Sequence, residues 1–537
     1  MIAGHLVPAG SVFAFLAEHR HELFPDEFTA DLFPSRTGRP SLPADLVGAV
    51  LVLVLKELYD LPDARTADAL KFDIRWKVAC GRPLAQMSFD PSALVYWRRR
   101  IAAPECPDRV LGAAAEVIAQ TGILRGRRKR CVDSTVFDGA VAARDTVTRL
   151  MAAMRKAARV VPGAGEVIAS VCGLDYSKPG KPPVDWDDPE AKQGLVSDLV
   201  NDALAVLEAL AGPGAAERDA AAADALGLLA LVAGQDVGPA EESDGTGGRW
   251  RIARKAAPDR VISTVDRQAR HTRKSRSKRR AGFRGHVAAE PETGLITDCE
   301  MTMATGPGSA DAENGVKMAA RGRFHDAGAE SAPAADAGTA ADAGTTADGG
   351  AAPGPGLEVY GDSAYGSGEA RAAYRDGGHG TVIKPGPLRP AVPGGFTIDD
   401  FTVSEEQGTV TCPAGQVARM TAARGAGFGA ACAACPLRQR CTTARDGRQM
   451  SIRPHDGLLR AARARARTAE LRQAYPTRSM IERTIARTAT QNGRRVRLRY
   501  IGAAKNDAWL HTRCAGLNLR TLVRAGLTRR GGAWALA

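Results

Sequence analysis

Two short runs place an acidic residue at the end of a β-like stretch: Val132-Asp133-Ser134 and Val359-Tyr360-Gly361-Asp362-Ser363. A carboxylate at a strand end is held by a rigid scaffold and still faces a cleft. Two or three such groups bind hard divalent cations, Mg2+ or Mn2+. Two such ions about 3.5–4 Å apart can activate a nucleophilic oxygen and stabilise the leaving oxygen of a phosphodiester. Glu482 is a candidate third ligand: it is the only acid between Glu470 and Asp507, inside the most basic part of the chain. An aspartate after a strand is also a common turn or cap residue, which is the plainer reading of either Asp taken alone. Tyr475 and Arg478 precede Glu482 by seven and four residues. On a helix that spacing puts all three on roughly one face.

A second chemistry is available to sulfur. Cys412, Cys432, Cys435 and Cys441 hold four of the ten cysteines within 30 residues, in the pattern C-x19-C-x2-C-x5-C. The Cys432-x2-Cys435 pair could chelate Zn2+ from one turn, with two more thiolates completing a tetrahedron. A zinc finger with two tight pairs is a stronger pattern than this single pair, and unligated thiols are the alternative. Ten cysteines in 537 residues are too sparse for a disulfide scaffold, so a reducing cytosol is expected.

The charge narrows the partner. The chain carries 73 Lys+Arg against 60 Asp+Glu, a formal +13. From Arg438 to Ala537 there are 23 bases and five acids, a local +18, so the remainder is net negative. Arg125–Arg130 has five bases in six residues and His271–Arg280 six in ten. Such clusters suit a polyanion, because each phosphate contact releases condensed counterions. With 44% hydrophobic residues the chain is neither disordered nor too small for a sizeable core. The longest apolar run, Leu46–Leu55, is too short to span a bilayer, and the N-terminus lacks a signal-peptide pattern. A cytoplasmic, nucleoid-associated protein with no membrane partner is the expectation.

These residues need elements to position them. Residues 1–120 read as mainly helical: Leu46–Leu58 after a Ser41 or Asp45 cap, Ala64–Leu70, and Pro91–Ile101 after Ser88 or Asp90. Arg130–Val136 reads as a strand. Residues 146–160 and Gly194–Gly234 follow helical spacing, with a Pro-rich loop at 176–192 between them. Trp250–Ile252, Val261–Val265, Gly285–Glu290 and Gly294–Met303 read as strands, the last two joined by a turn at 291–294. Asp326–Gly356 has no aromatic, no Val, Ile or Leu and no Lys or Arg, and reads as a flexible loop. Residues 396–411 resemble a hairpin, and 455–525 read as helices.

The motifs in this order resemble the insertion-sequence transposases of the DDE superfamily. The residues that carry the resemblance are Val132-Asp133-Ser134-Thr135-Val136, Ile262-Ser263-Thr264-Val265-Asp266-Arg267-Gln268-Ala269-Arg270, Gly285-His286-Val287 leading to Pro291-Glu292-Thr293-Gly294, and Gly361-Asp362-Ser363-Ala364-Tyr365-Gly366. Tyr475-x2-Arg478-x3-Glu482 and Asn506-Asp507-Ala508-Trp509-Leu510 complete the set. The group most similar has a helical insert between the first two acids and cysteines before the last, with Cys-Pro-Ala-Gly and Cys-Pro-Leu-Arg wording, here at 412–415 and 435–438. The stretch from Arg39 to Arg100 is similar to that family's helical N-terminal domain.

The resemblance implies an α/β fold: a helical N-terminal DNA-binding domain over 1–124 and an RNase H-like catalytic domain over 125–525. The second would be interrupted by a helical insert at about 146–245, the loop 326–356 and the cysteine cluster 412–441. Asp133, Asp362 and Glu482 would be the catalytic, Mg2+-binding triad. Tyr475, Arg478, Arg487, Arg494 and Arg495 would contact DNA. Asp266 and Asp311 would be supporting acids. Family members often carry a lysine seven residues after the glutamate; here that position is Ala489, and Arg487, Arg494 or Arg495 would have to supply the charge. The implied activity is cleavage at terminal inverted repeats and transfer of the freed 3′-OH to target DNA, by a homodimer that pairs two ends. The other readings are a non-catalytic DNA-binding protein and a nuclease without strand transfer.

Overall fold

The structure, a computed structural model, describes residues 4–25, 27–31, 46–101, 108–211, 218–241, 248–253, 257, 259–273, 279–322 and 356–537. The loop expected at 326–356 lies outside the described residues except for Gly356. The Ser41 and Asp45 caps, and residues 274–278 of the second basic cluster, lie outside them as well.

Six strands build the main sheet: β1 (Lys129–Asp138), β2 (Arg270–Arg273), β3 (Arg279–Ala289), β4 (Ile296–Met303), β5 (Glu358–Gly361) and β6 (Gly380–Ile383). The β-branched and aromatic run Val132, Thr135, Val136, Phe137 suits the pleated surface of β1. On one side β1 pairs antiparallel with β3, Asp133 opposite Val287. β3 in turn pairs antiparallel with β2 and β4. On its other side β1 pairs parallel with β5, and β5 with β6. The architecture is mixed α/β.

Among the described residues, six helices of six residues or more precede the sheet: α1 (Val12–Leu23), α2 (Leu46–Tyr59), α3 (Asp63–Phe72), α4 (Ile74–Ala79), α5 (Ser92–Ile101) and α6 (Arg109–Thr121). Four follow β1: α7 (Thr146–Val160), α8 (Ala164–Val171), α9 (Pro189–Ala209) and α10 (Ala220–Gln235). Asp145, Asp188 and Asp219 cap three of these four by accepting backbone N–H bonds. Next come α11 (Asp311–Arg321) and α12 (Gly368–Asp376), and then the C-terminal α13 (Asp456–Arg465), α14 (Ala469–Ala474), α15 (Ser479–Ala489) and α16 (Ala503–Arg524).

The two faces of the sheet are covered differently. Val132, Val359 and Ile383 pack with Met318 of α11 and with Tyr365 and Tyr374. Cys131, Tyr360, Val382, Phe283 and Val287 face the other way, toward Ile481 of α15 and Trp509 and Leu510 of α16. That apolar cluster continues into α2 and α6, so the N-terminal helices share a core with the sheet. Helices α7–α10 enclose a separate core of Leu150, Met154, Leu199, Ala225 and Leu228 among others.

The Asn506-to-Leu510 motif anchors α16. Asn506 donates to Tyr500 and Gly502 carbonyls, Asp507 accepts from the Met301 N–H at 2.7 Å, and Trp509 stacks edge-on against Phe137. One expected strand is absent: Val261–Val265 is irregular. The Val261 N–H bonds to Gln235 Oε1, and its carbonyl accepts from Arg149 and Gln235. Side chains satisfy the backbone groups that a ladder would have used. Among the described residues no helix is long and apolar enough to cross a membrane.

Candidate active site

The pairing of β1, β5 and β6 puts three chemistry-bearing residues on one rung. The last β1–β5 partners are Cys131 and Tyr360, so two residues on Asp133 stands beside Asp362. The last β5–β6 partners are Gly361 and Ile383, so one residue on Asp362 stands beside Lys384. Side chains alternate along a strand. These three therefore share the face of Cys131, Tyr360 and Val382, which α15 covers. The Cys131 thiol reaches the Thr477 carbonyl at 3.7 Å, which fixes how closely the segment before α15 approaches.

Local sequence explains the Asp362 corner. Gly361 ends β5 where a Cβ would come within 3.2 Å of Tyr365 and Val132 side-chain atoms. Asp362 accepts from the Ala364 N–H at 2.9 Å and caps the single turn Ser363–Tyr365. That turn buries Tyr365 beneath the sheet, on the face opposite the acids.

Burial lifts the Asp133 carboxyl to about 6. A hydrogen bond from the Ser134 N–H and the charge of Arg478 pull it down, and the Asp362 and Asp311 carboxylates push it up again. Asp133 is thus a half-buried acid among like charges. Ser134, on the opposite face, donates to Asp311 at 2.7 Å, and Arg284 binds the other Asp311 oxygen at 2.9 Å. Asp311 opens α11 and is engaged by protein groups. Asp266 is buried and accepts from the Gln268 and Ala269 N–H groups, just before β2.

Glu482 lies in the first turn of α15, 62% exposed, with its carboxylate 3.4 Å from Arg478. Tyr475–Arg478 forms a 3-10 turn, so the single helical face expected for Tyr475, Arg478 and Glu482 is interrupted. Arg478 and Glu482 still meet at i,i+4. Tyr475 approaches the rung from the same side: burial raises its phenol, Arg478 opposes this, and Asp362 adds to it. The Lys384 ammonium lies 4.3 Å from the Tyr475 ring centroid. Lys384 carried no sequence prediction. Its signal is that of Asp362, a charged residue directly after a short β run.

The other expected DNA contacts are dispersed. Arg487 donates to the Gly294 carbonyl in the β3–β4 turn. Arg495 donates to Val136 O, further along β1, and Arg494 is exposed on the small hairpin after α15. Ala489 is buried. In the first basic cluster Arg127 pairs with Glu292, Arg128 binds the Gly356 carbonyl, and Arg130 is buried against the carbonyls of 127 and 129. Most of that cluster therefore braces the protein.

The four cysteines converge. Cys412, Cys432, Cys435 and Cys441 line one small cavity with Phe396 and Phe428. The Arg448 N–H donates to Cys432 Sγ at 3.4 Å. Burial raises the Cys441 thiol, Arg448 lowers it, and the other three sulfurs raise it further. Among the described residues no group of three or more His, Cys, Asp or Glu side chains is drawn together tightly enough to hold a metal ion.

A family model described as Transposase DDE domain matches residues 411–523, and another, described as Transposase domain (DUF772), matches residues 4–100. The first spans Tyr475, Arg478, Glu482 and the four cysteines; Asp133 and Asp362 lie outside both. No curated protein and no solved structure matches the chain.

Proposed function

The chain belongs to the insertion-sequence transposases of the DDE type, and from that premise we propose that it binds the terminal inverted repeats of its element, cuts there and joins the freed 3′ ends to target DNA. The observation that carries the reading is the common rung of Asp133 and Asp362 on adjacent parallel strands, facing the helix that bears Glu482. In this reading residues 125–525 are an RNase H-like domain, with α7–α10 as its insert, and residues 1–124 dock end DNA.

Asp133, Asp362 and Glu482 would hold Mg2+ or Mn2+. The fit rests on charge: Asp133 is pushed up by burial and by its acidic neighbours, a penalty that a cation removes. Bound metal would supply activation of water and of the 3′-OH and stabilisation of the leaving oxygen. The chain does the rest. Arg478 holds Glu482 in the free protein. A phosphate arriving at Arg478 competes for that guanidinium and releases the carboxylate toward the rung. Tyr475 packs beside the same phosphate. Arg494 and Arg495 extend the contact along the strand, and Arg487 acts through the β3–β4 turn.

Cys412, Cys432, Cys435 and Cys441 line one cavity and would supply the four sulfurs of a structural Zn2+ by drawing together around it. Synapsis of two ends calls for a homodimer. Cytoplasmic, nucleoid-associated action follows from a DNA substrate.

The test is incubation with duplexes carrying the DNA that flanks the gene, Mg2+ and a target plasmid. Joined products are expected. Tight binding of the flanking DNA without nicking would make the protein a non-catalytic binder. Nicking without joining would make it a nuclease.

A further inference from the structure

A cation beside two carboxylates ordinarily forms an ion pair with one of them. Lys384 stands next to Asp362 on the rung, yet among the described residues it makes no salt bridge. Its ammonium lies over the Tyr475 ring instead, at 4.3 Å from the centroid. A cation–π contact holds an ammonium in place without neutralising it. Of the positions from which a basic group was expected, Ala489 is a buried alanine, Arg487 is bound to Gly294, Arg495 to Val136, and Arg494 is exposed on the hairpin after α15. Tyr475 feels the charges of both Arg478 and Asp362, which puts it between the rung and the segment leading into α15.

We propose that Lys384 is a phosphate-positioning residue. Its ammonium, seated on Tyr475, contacts a backbone phosphate of the DNA strand that lies across Asp133 and Asp362. This rests on the transposase reading and gives it a cation from β6 in place of one from α15. Lysine acts here as a point charge and needs no bidentate geometry.

The experiment measures binding of a fluorescent duplex from the DNA flanking the gene, and of a scrambled duplex of equal length. Ca2+ replaces Mg2+, and salt runs from roughly 50 to 200 mM. Lys384→Gln should weaken both duplexes about fivefold, because a phosphate contact carries no base information. It should also reduce the slope of log K against log salt by about 0.9, the value for one phosphate contact. Lys384→Arg should restore both affinity and slope, which a packing role for the lysine stem would not predict. An unchanged unfolding midpoint shows that the variant is folded. If wild type binds in Ca2+ and cuts once Mg2+ is restored, while Lys384→Gln keeps its affinity and slope, Lys384 has no such role and the transposase reading stands. If wild type neither binds nor cuts the flanking duplex, that reading fails, and this one with it.

Discussion

Beneath the N-terminal helices, the Lys56 ammonium is wholly buried, yet it reaches Glu57 at 2.8 Å, the Tyr500 hydroxyl at 3.0 Å and Asp63 at 3.6 Å. Arg98 grips Asp63 with two hydrogen bonds of 2.7 and 2.8 Å, and Tyr500 donates to Glu57. Arg513, also buried, ties α16 to the Glu57 and Thr488 carbonyls. At the edge where the parallel ladders of β1, β5 and β6 end, the pattern inverts. Asp133 has Asp362 and Asp311 among its charged neighbours, and its main opposing cation, Arg478, is shared with Glu482. The first cluster brings opposite charges together and locks α2, α3, α5 and α16 into one body. The second sets Asp133 and Asp362 side by side, with Asp311 held by Arg284 on the opposite face. A polar cluster that only has to hold the fold can satisfy itself; one that has to receive metal and phosphate carries its imbalance until they arrive.

Exchanging one charge in each cluster separates the two roles. Asp133→Asn removes a proposed metal ligand worth several kcal/mol of transition-state stabilisation, and strand cleavage should fall by about 10^3-fold or more. The same change relieves the repulsion at the edge, so the metal-free protein should unfold at a midpoint a few degrees higher. Cleavage in gels and scanning fluorimetry on one preparation check both halves. Full cutting by Asp133→Asn with Mg2+ would remove the triad assignment.

The reverse holds for the buried network. Lys56→Ala leaves Glu57 without its cation in an apolar core and should cost about 3–5 kcal/mol, read as a drop in the urea midpoint. Lys56→Met, which fills the volume but strands the same carboxylate, should recover only the packing part. If both variants unfold like wild type, the network is not what holds the N-terminal helices to α16.

The edge was far more legible in the sequence than the network. A short β run carrying an Asp is a local pattern; Asp362 follows the end of β5 as expected, whereas Asp133 lies inside β1, which runs on to Asp138. The β3–β4 turn at 291–294 and the helices Ser92–Ile101 and Thr146–Val160 were equally local. Lys56 and Glu57 sit in an apolar helix where nothing nearby signals that their partners include Tyr500, more than 440 residues on. The bond of Arg487 to the Gly294 carbonyl, 193 residues away, was equally invisible. Strands β2 and β6 have four residues each and too few alternations to declare a period. Val261–Val265 has strand composition, but side chains from α7 and α10 claim its backbone. Whatever was fixed by neighbours in sequence could be read. What was fixed by partners hundreds of residues away could not.

The smallest expected effect is a pH dependence that tells the two clusters apart in one folded protein. The Asp133 carboxyl stands at about 6 when folded, against an ordinary value of 3.8. The folded state therefore holds its proton more tightly than the unfolded chain. The resulting stability is fully present below pH 4 and is lost as pH rises through 6. Asp63 is shifted the other way. Burial alone would raise it, but the hydrogen bonds from Arg98 and the charge of Lys56 outweigh burial and hold it below the usual range. Its stability is present above pH 4 and is lost as pH falls through its folded value. Between pH 4 and 6, then, Asp133 moves while Asp63 does not. After allowance for its partial exposure, the change should be about 1–2 kcal/mol. Urea midpoints of wild type and Asp133→Asn, taken with a chelator at pH 4, 5, 6 and 7, should converge at the acid end and separate toward neutrality, with the variant the more stable. Asp63→Asn should run parallel to wild type over the same window and lose ground to it uniformly. Parallel curves for wild type and Asp133→Asn would mean that the edge carboxylate is not strained in the free protein, and the contrast between the two clusters would reduce to one of partners alone.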